Sequence, residues 1–300
     1  MFALILLVIP ALSQTRFRTQ IVFGSGAELR AKIQNDKCSF NEKFIISTDD
    51  QESKLSAAVK SKCGDQTKFD LVFENGSMLA AFEKSPSSGN SRLSFSLKNL
   101  RKNHPDITHF SFFPIPRAYY VDMQPGSFSL QARAELEVGS SFNETKCFDI
   151  NSALRIPIEK STSGRWRTPG NVTIYGANGR KVENVQVYWA TALKLSQASV
   201  DVISALNGAV GNADTMYPLT KTKVEFEFQG TKYKTGESRR KRFSYTYDEK
   251  EVLFMNGLRG YTRPTVMLGA NYFSKFVTFF DVKNEYVGMC NPNWNFEYVE

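Results

Sequence analysis

The chain contains two histidines, His104 and His109, and both lie in one short stretch, Asn103–His109. A Ser/His/Asp hydrolase would need one of them, but no nucleophile-elbow glycine pattern accompanies them. We therefore expect these histidines to be polar residues in a helix-ending turn before a strand. Two histidines without a Cys-x-x-Cys pair also argue against a zinc site. We expect neither a metal nor a cofactor.

Paired aspartates are the other chemistry to consider. In acid proteolysis two carboxylates share one proton, and their repulsion separates their pKa values, so that one acts as base on water while the other donates a proton. Each stands in an Asp-Thr/Ser-Gly triplet, in which the hydroxyl joins the two loops and the glycine lets the backbones approach closely. The chain contains no such triplet, and the nearest string, Asp214-Thr215-Met216, lacks the glycine.

The elements that would position such groups follow an all-β pattern. Ser127–Ala132 and Val224–Phe228 alternate apolar and polar residues with period two, which is typical of strands with one buried face. Two segments have helical spacing. Gln197–Gly208 places Val200, Ile203 and Leu206 three residues apart, and Ser96–Asn103 is a shorter candidate.

Ordered landmarks near the C-terminus suggest a family. Val266–Phe273 contains an apolar pair followed by glycine, and Phe279-Phe280-Asp281 and Tyr286-Val287-Gly288-Met289 follow it. This order resembles the last strands of pepsin-like aspartic proteases. The likeness extends backward through Leu154–Ile158, Gly164-Arg165-Trp166 and Val172–Gly176, which are similar to the opening of that family's C-terminal lobe.

The resemblance places the family's second Asp-Thr-Gly-Thr-Ser loop at Tyr188–Leu193. Under this alignment Tyr188 takes the position of the second catalytic aspartate, and only Thr191 and the apolar Leu193 persist from the family pattern. A phenol with a pKa of ~10 does not serve as a base at acid or neutral pH. The resemblance therefore implies that the chain has no catalytic residue.

The N-terminal half carries a fainter likeness. Ile21–Gly26 resembles the flap hairpin that folds over bound substrate, and Phe69–Glu74 resembles a later element of the same lobe. This alignment implies that the section with the first catalytic aspartate is missing. A rival alignment treats Phe73–Ser77 as a decayed Phe-Asp-Thr-Gly-Ser. The first aspartate is absent under either alignment.

The predicted architecture is a pepsin-like acid-protease fold with a near-complete C-terminal lobe and a truncated N-terminal lobe. We assign residues 1–13 to a signal peptide, residues 14–117 to the truncated lobe with its flap-like hairpin, and residues 118–300 to the C-terminal lobe. Phe2–Leu12 is apolar and uncharged, and small residues precede Gln14. A bilayer core needs ~20 apolar residues, so we expect no membrane span.

A secreted chain with four cysteines is expected to form two disulfides. Four cysteines allow three pairings, and local closure favours Cys38–Cys63 and Cys147–Cys290. Three sequons, at Asn75, Asn143 and Asn171, predict glycosylation. We expect the protein outside the cell, with a lysosome-like compartment as the alternative.

The formal net charge is +8, and the main basic run is Arg239–Arg242. This run is either a processing site, a contact for an anionic surface or, as we favour, a solvated loop between two strands. Basic patches interleaved with stacking aromatics are not evident, so we expect no nucleic-acid partner.

The predicted function is that of a secreted, catalytically inactive aspartic-protease-like protein that binds a peptide or protein. The expected ligand-binding residues are those of the cleft floor and of its flap-like cover: Phe23, Gly24, Gly26, Tyr188, Thr191 and Leu193. Two alternatives stay open. One is an active pepsin-like endopeptidase at acid pH, and the other is an incomplete gene product of such a protease.

Overall fold

A computed structural model describes residues 16–24, 26–48, 53–82, 91–94, 104–124, 127–161, 164–175, 180–207, 216–218, 223–228, 241–246 and 252–293. The strands of this part, in chain order, are β1 Arg16–Phe23, β2 Ala27–Gln34, β3 Ser39–Ser47, β4 Lys68–Phe73, β5 Gly76–Ala81, β6 Ser91–Ser94, β7 His109–Gln124, β8 Ser127–Gly139, β9 Leu154–Pro157, β10 Glu159–Lys160, β11 Trp166–Arg167, β12 Val172–Tyr175, β13 Lys181–Trp189, β14 Gln197–Ser199, β15 Met216–Pro218, β16 Lys223–Phe228, β17 Lys241–Thr246, β18 Val252–Leu258, β19 Thr265–Leu268, β20 Val277–Asp281 and β21 Tyr286–Cys290. Short helices complete it: α1 Ala57–Cys63, α2 Val200–Asn207 and α3 Ala270–Phe273, with 3₁₀ turns at Glu144–Lys146 and Ile150–Ser152. The all-β class expected from the sequence is confirmed.

Within the described residues, the strands form two sheets. The first has eleven strands in the order β5-β4-β2-β1-β8-β7-β20-β21-β9, with β3 paired to β2 and to β6. The second has ten strands in the order β15-β18-β14-β19-β13-β12-β16-β17, with β11 joining β10 to β13. The predicted lobe boundary between residues 117 and 118 falls inside β7, and the first sheet contains strands from both sides of it.

The two sheets share a large apolar core that is rich in aromatic rings. Phe110 of β7 stacks on Phe280 of β20 with ring centroids 4.6 Å apart. Trp189 of β13 meets the same Phe280 edge-on at 6.3 Å, which links the second sheet to the first. Each of these three side chains is fully buried. Aromatic pairs of this geometry contribute about 0.5–1.5 kcal/mol beyond the burial of their area.

The predicted helix Gln197–Gly208 begins later than its spacing suggests. Gln197–Ser199 form β14, which pairs with β18 and β19, and α2 begins at Val200. Val200 is 40% exposed, whereas Val202, Ile203 and Leu206 are buried. The strand pairing outweighs local helix propensity at these three residues, and the helix then packs through a different set of positions. The other predicted helix, Ser96–Asn103, lies outside the described residues.

Both disulfides of the structure have the pairing that local closure favours. Cys38–Cys63 joins the β2–β3 connection to the end of α1. Cys147–Cys290 joins the segment after the first 3₁₀ turn to the end of β21, across 143 residues. Closing a loop of that length removes more unfolded-chain entropy than closing the shorter one, in the chain-entropy account of disulfides.

A group of buried charges lies on the first sheet. Glu135 and Glu137 of β8 are both buried, and Lys146 contacts Glu135 directly. Glu137 is less well paired, since its carboxylate lies 3.6 Å from Lys146 Nζ and 3.6 Å from Arg16 Nε, and neither of its oxygens accepts a hydrogen bond. Burial raises the pKa of Glu137 above its ordinary value.

We expect Glu137→Gln to raise the melting temperature at about pH 7.5 and to have a smaller effect at about pH 4. Because the folded-state pKa of Glu137 is raised, its contribution to stability is fully present below the unfolded pKa and is lost as pH rises through the folded pKa. The amide removes that loss. Differential scanning calorimetry of both proteins at the two pH values measures the difference.

Glu28→Gln is the matched control. Glu28 is also a buried glutamate of the first sheet, but its Oε2 lies 2.8 Å from Lys43 Nζ, so the substitution removes a direct ion pair. We expect this variant to melt at a lower temperature than the wild type at about pH 7.5. An equal loss of stability in the two variants would contradict the interpretation of Glu137.

Candidate functional site

Two chain segments that are far apart in sequence meet through reciprocal hydrogen bonds. Thr48 Oγ1 donates to the carbonyl oxygen of Trp189 at 2.5 Å, and Thr191 Oγ1 donates to the carbonyl oxygen of Ile46 at 3.0 Å. Both threonines are fully buried. We call this meeting of Ile46–Thr48 with Trp189–Thr191 the crossing.

The strands that deliver the two segments are arranged alike. β3 ends at Ser47 and pairs with β6 in parallel, and β13 ends at Trp189 and pairs with β19 in parallel. In each half a further antiparallel pairing follows, through Lys54 with Arg92 and through β14 with β19. The crossing therefore joins two similar strand arrangements, one from each half of the chain.

Close backbone packing supports the second segment. Gly269 follows β19, and a Cβ at this position would lie 2.8 Å from the backbone of Leu195. The Gly269 N–H donates to Ser196 Oγ, which in turn donates to Asn271. The apolar-apolar-Gly landmark thus has a physical reason, because a side chain at Gly269 would displace the chain that follows the crossing.

The turn at Phe23–Ala27 is not the free cover that the sequence predicts. Phe23 is buried in the main core. The Ala27 N–H donates to the carbonyl oxygen of Thr191 at 2.8 Å, and a Cβ on Gly26 would lie 2.7 Å from the carbonyl oxygen of Ala192. This turn is packed against the second segment, where it supports the crossing.

Another hairpin, formed by β4 and β5, contains the segment Phe73–Ser77 that the rival alignment treated as a decayed catalytic triplet. Its turn is bound to β1. Asn75 Oδ1 accepts from the Arg18 N–H, Asn75 Nδ2 donates to the Arg16 carbonyl oxygen, and Glu74 Oε1 accepts from the Gln20 N–H. Neither alignment of the N-terminal half identified Ser47 and Thr48 as part of the crossing.

The structure places Tyr188 inside β13 and not at a loop tip. Its Cα pairs with those of Met267 in β19 and Arg167 in β11, and its hydroxyl donates to Gln186 Oε1 at 3.2 Å. The residue directly before Thr191 is Ala190, and the residue directly before Thr48 is Ser47. Among Ile46–Thr48 and Trp189–Thr191, no side chain carries a carboxylate.

An apolar cluster separate from the main core lies next to the crossing, and we call it the apolar shelf. Its members are buried side chains that each retain a few per cent of exposure: Tyr188, Ala190, Leu258 and Met267. Leu193, which is partly buried, packs against them. Tyr261, which is 37% exposed, contacts the ring of Tyr188 edge-on at 6.2 Å. Of the predicted site residues, Tyr188 and Leu193 belong to this cluster, and Gly26 lies against the backbone of Thr191 and Ala192.

A hydroxyl, an imidazole and a carboxylate are also brought together, at Thr108, His109 and Asp281. Thr108 Oγ1 lies 2.8 Å from His109 Nδ1, and His109 Nε2 lies 3.1 Å from Asp281 Oδ2. However, the Thr108 hydroxyl donates to the Ser140 carbonyl oxygen, so it accepts from His109 and is not activated as a nucleophile. Hydrogen bonds from His109 and Asn284 hold the pKa of Asp281 below its usual range, against the effect of burial.

The sequons differ in their surroundings. Both ends of the Asn75 amide bind the backbone of β1, whereas Asn143 accepts from Thr145 and Asn171 is exposed. Glycosylation at the three sites stays a prediction.

The basic run Arg239–Arg242 is partly outside the described residues, which resume at Lys241 in β17.

Two absences hold for the part of the chain that the structure describes. No group of three or more His, Cys, Asp or Glu side chains within it could hold a metal ion. None of its helices is long and apolar enough to cross a membrane.

A solved structure has a similar fold. The crystal structure of basic 7S globulin from soybean aligns with a TM-score of 0.57 and 8% sequence identity, over 95% of this chain and 100% of that chain. No protein-family model matches the chain, and no curated protein matches it either. Basic 7S globulin has a pepsin-like aspartic-protease fold. At 8% identity the likeness shows the fold alone, and it supports the architecture that the C-terminal landmarks predict.

We expect Thr191→Val to lower the free energy of unfolding by about 1–3 kcal/mol, because the variant leaves the buried Ile46 carbonyl without its donor. Urea unfolding followed by tryptophan fluorescence measures the loss. Thr191→Ser keeps the hydroxyl and is the control, and it should retain more stability than the valine variant. Equal destabilisation by serine and valine would show that the methyl group matters and the hydrogen bond does not.

Proposed function

We propose that this chain is a secreted, catalytically inactive aspartic-protease-like protein that binds an extended segment of a peptide or protein along the apolar shelf. In this proposal the positions of the two catalytic aspartates are taken by Ser47 and Ala190, and not by Tyr188. The observation that carries it is the crossing itself, where two buried threonines join the segments in the way that the family's triplet chemistry requires.

The side chains at these two positions argue against hydrolysis. A shared proton between two facing carboxylates is what gives an aspartic protease both its base and its acid. Ser47 offers a buried hydroxyl and Ala190 offers a methyl group. Neither ionises in the working range of such an enzyme, so the segments retain their structural hydroxyls without the acids that act on water.

The apolar shelf supports the binding role. Tyr261 is an exposed aromatic ring in contact with the buried Tyr188, and Leu193 is partly exposed on the same cluster. Aromatic side chains dominate the free energy of many protein–protein contacts. The shelf includes Ala190, where a cleft of this fold would hold the centre of its ligand.

Cleavage is tested with the purified secreted protein and denatured haemoglobin at acid pH, with and without pepstatin. We expect no pepstatin-sensitive cleavage, because no carboxylate side chain stands at the crossing. An active pepsin-like protease assayed in parallel is the positive control. Robust cleavage that pepstatin abolishes would overturn the inactive assignment.

Binding is tested by panning a heptapeptide phage library on the wild-type protein and measuring the selected peptides by fluorescence anisotropy. We expect Tyr261→Ser to weaken them about 10-fold, which corresponds to ~1.4 kcal/mol. Leu79→Ser is the matched control, because Leu79 is exposed to a similar degree on β5, outside the shelf. Equal weakening by both variants, or none by either, would remove the shelf as the binding surface.

A further inference from the structure

A small polar cavity of about 100 Å³ lies beside the middle of β13, before the end of the strand that reaches the crossing. Its walls include Glu159, Arg167, Asn171, Asn184, Gln186 and Arg263. A volume of this size holds about three waters at bulk density, which suits a charged head group better than a large side chain. The residues that line it come from three separate parts of the second half of the chain, so the cavity exists only in the folded protein.

The charges around the cavity leave one cation unbalanced. Arg167 contacts Glu159 Oε1 through Nε at 2.7 Å and through Nη2 at 2.6 Å, so this arginine and this carboxylate neutralise each other. Arg263 is exposed, and among the described residues no carboxylate lies within ion-pair distance of it. The net charge of the three ionised groups in the wall is therefore positive.

Asn184 and Gln186, two of the three residues with side-chain amides in the cavity wall, belong to β13. The β12–β13 pairing shifts register between Val172 and Ile174, which inserts an extra residue into β13. Asn184 lies in this bulge with φ of 59°, in the left-handed region. Bulges re-aim side chains and are frequent next to ligand sites. Gln186 also lines the cavity, and its Oε1 accepts from the Tyr188 hydroxyl, so its Nε2 is not engaged in that hydrogen bond.

We propose that this cavity binds a carboxylate, held by the guanidinium of Arg263 and by the amide donors of Asn184 and Gln186. A planar guanidinium matches the two oxygens of a carboxylate better than other cations do. We further propose that the carboxylate belongs to an acidic side chain or to the C-terminus of a peptide bound along the apolar shelf. This second step rests on the proposed function.

The geometry of β13 connects the cavity to that shelf. Gln186, Tyr188 and Ala190 alternate with residues of the opposite face, so they share one face of β13 and its extension. Gln186 and Ala190 are four positions apart in the sequence, a distance of about 13 Å in extended chain. A bound peptide in extended conformation that places one residue at the crossing can therefore reach the cavity with a residue about four positions away.

The test is a titration of the full-length protein with N-acetyl-aspartate amide and with N-acetyl-glycine, followed by the side-chain amide resonances of Asn184 and Gln186. The first probe carries an acidic side chain and the second a terminal carboxylate, so the arms distinguish the two sources. N-acetyl-asparagine amide is the neutral control. Asn171 forms part of the wall, so the protein used is material in which mass spectrometry finds Asn171 unmodified.

We expect saturable shifts with at least one acidic probe and no saturable shift with the asparagine probe. The affinity of Arg263→Gln for the acidic probe should be about 10-fold lower, which corresponds to ~1.4 kcal/mol of binding free energy. Arg259→Gln is the matched control, since it removes the same charge from an exposed arginine that does not line the cavity. Its affinity should equal that of the wild type.

Three results would overturn the proposal: no saturable shift with either acid, an equal response to the asparagine probe, or equal weakening by Arg259→Gln and Arg263→Gln. The last would show attraction to net charge and not to a site. Loss of the cavity leaves the proposed function intact if the selected heptapeptides still require Tyr261. Loss of shelf binding leaves the cavity intact if the amide resonances still shift.

Discussion

The rest of the structure depends on two hydroxyl-to-carbonyl hydrogen bonds at the crossing. They join Thr48 to Trp189 and Thr191 to Ile46, across 141 and 145 residues of chain. Because all four groups are removed from water, leaving either carbonyl without its donor costs about 1–3 kcal/mol. This penalty fixes the ends of β3 and β13 against each other. The turn at Gly26 then packs on the second segment, and the face of β13 that carries Tyr188 is held beside it.

In the function that we propose, the structural part of an acid-protease site is kept without its catalytic part. The threonine hydroxyls that join the two segments are present, whereas the positions before them hold Ser47 and Ala190. Under this proposal the site keeps its shape without its acids, because the threonine hydrogen bonds need no ionised group. The apolar shelf beside the crossing then serves as the binding surface, and a preorganised surface loses little entropy when it binds an extended chain.

Local patterns predicted much of the fold, but not the residues that meet. The C-terminal landmarks, the alternating strands and the favoured disulfide pairing all agree with the structure. The position that we propose for the second catalytic residue, Ala190, lies two residues after Tyr188, to which the sequence resemblance assigned it. Side chains two apart in a strand share a face, so alternation alone does not distinguish Tyr188 from Ala190. In the first half, the apolar run Phe44–Ile46 followed by Ser47 and Thr48 is the sequence feature that could have located the first segment of the crossing. It has the same order as the apolar run that precedes Ala190 and Thr191 in the second half.

The sequence by itself determined the elements whose causes are local: the strands with period two, the turns between them and the number of cysteines available for pairing. Only the tertiary structure decided which loops meet and which charges lack a counterion. Thr48 has its partner 141 residues away, and the walls of the cavity combine Glu159, Asn184 and Arg263 from three segments. Contacts of this kind arise from the packing of whole sheets, and nothing in the residues near each partner specifies them.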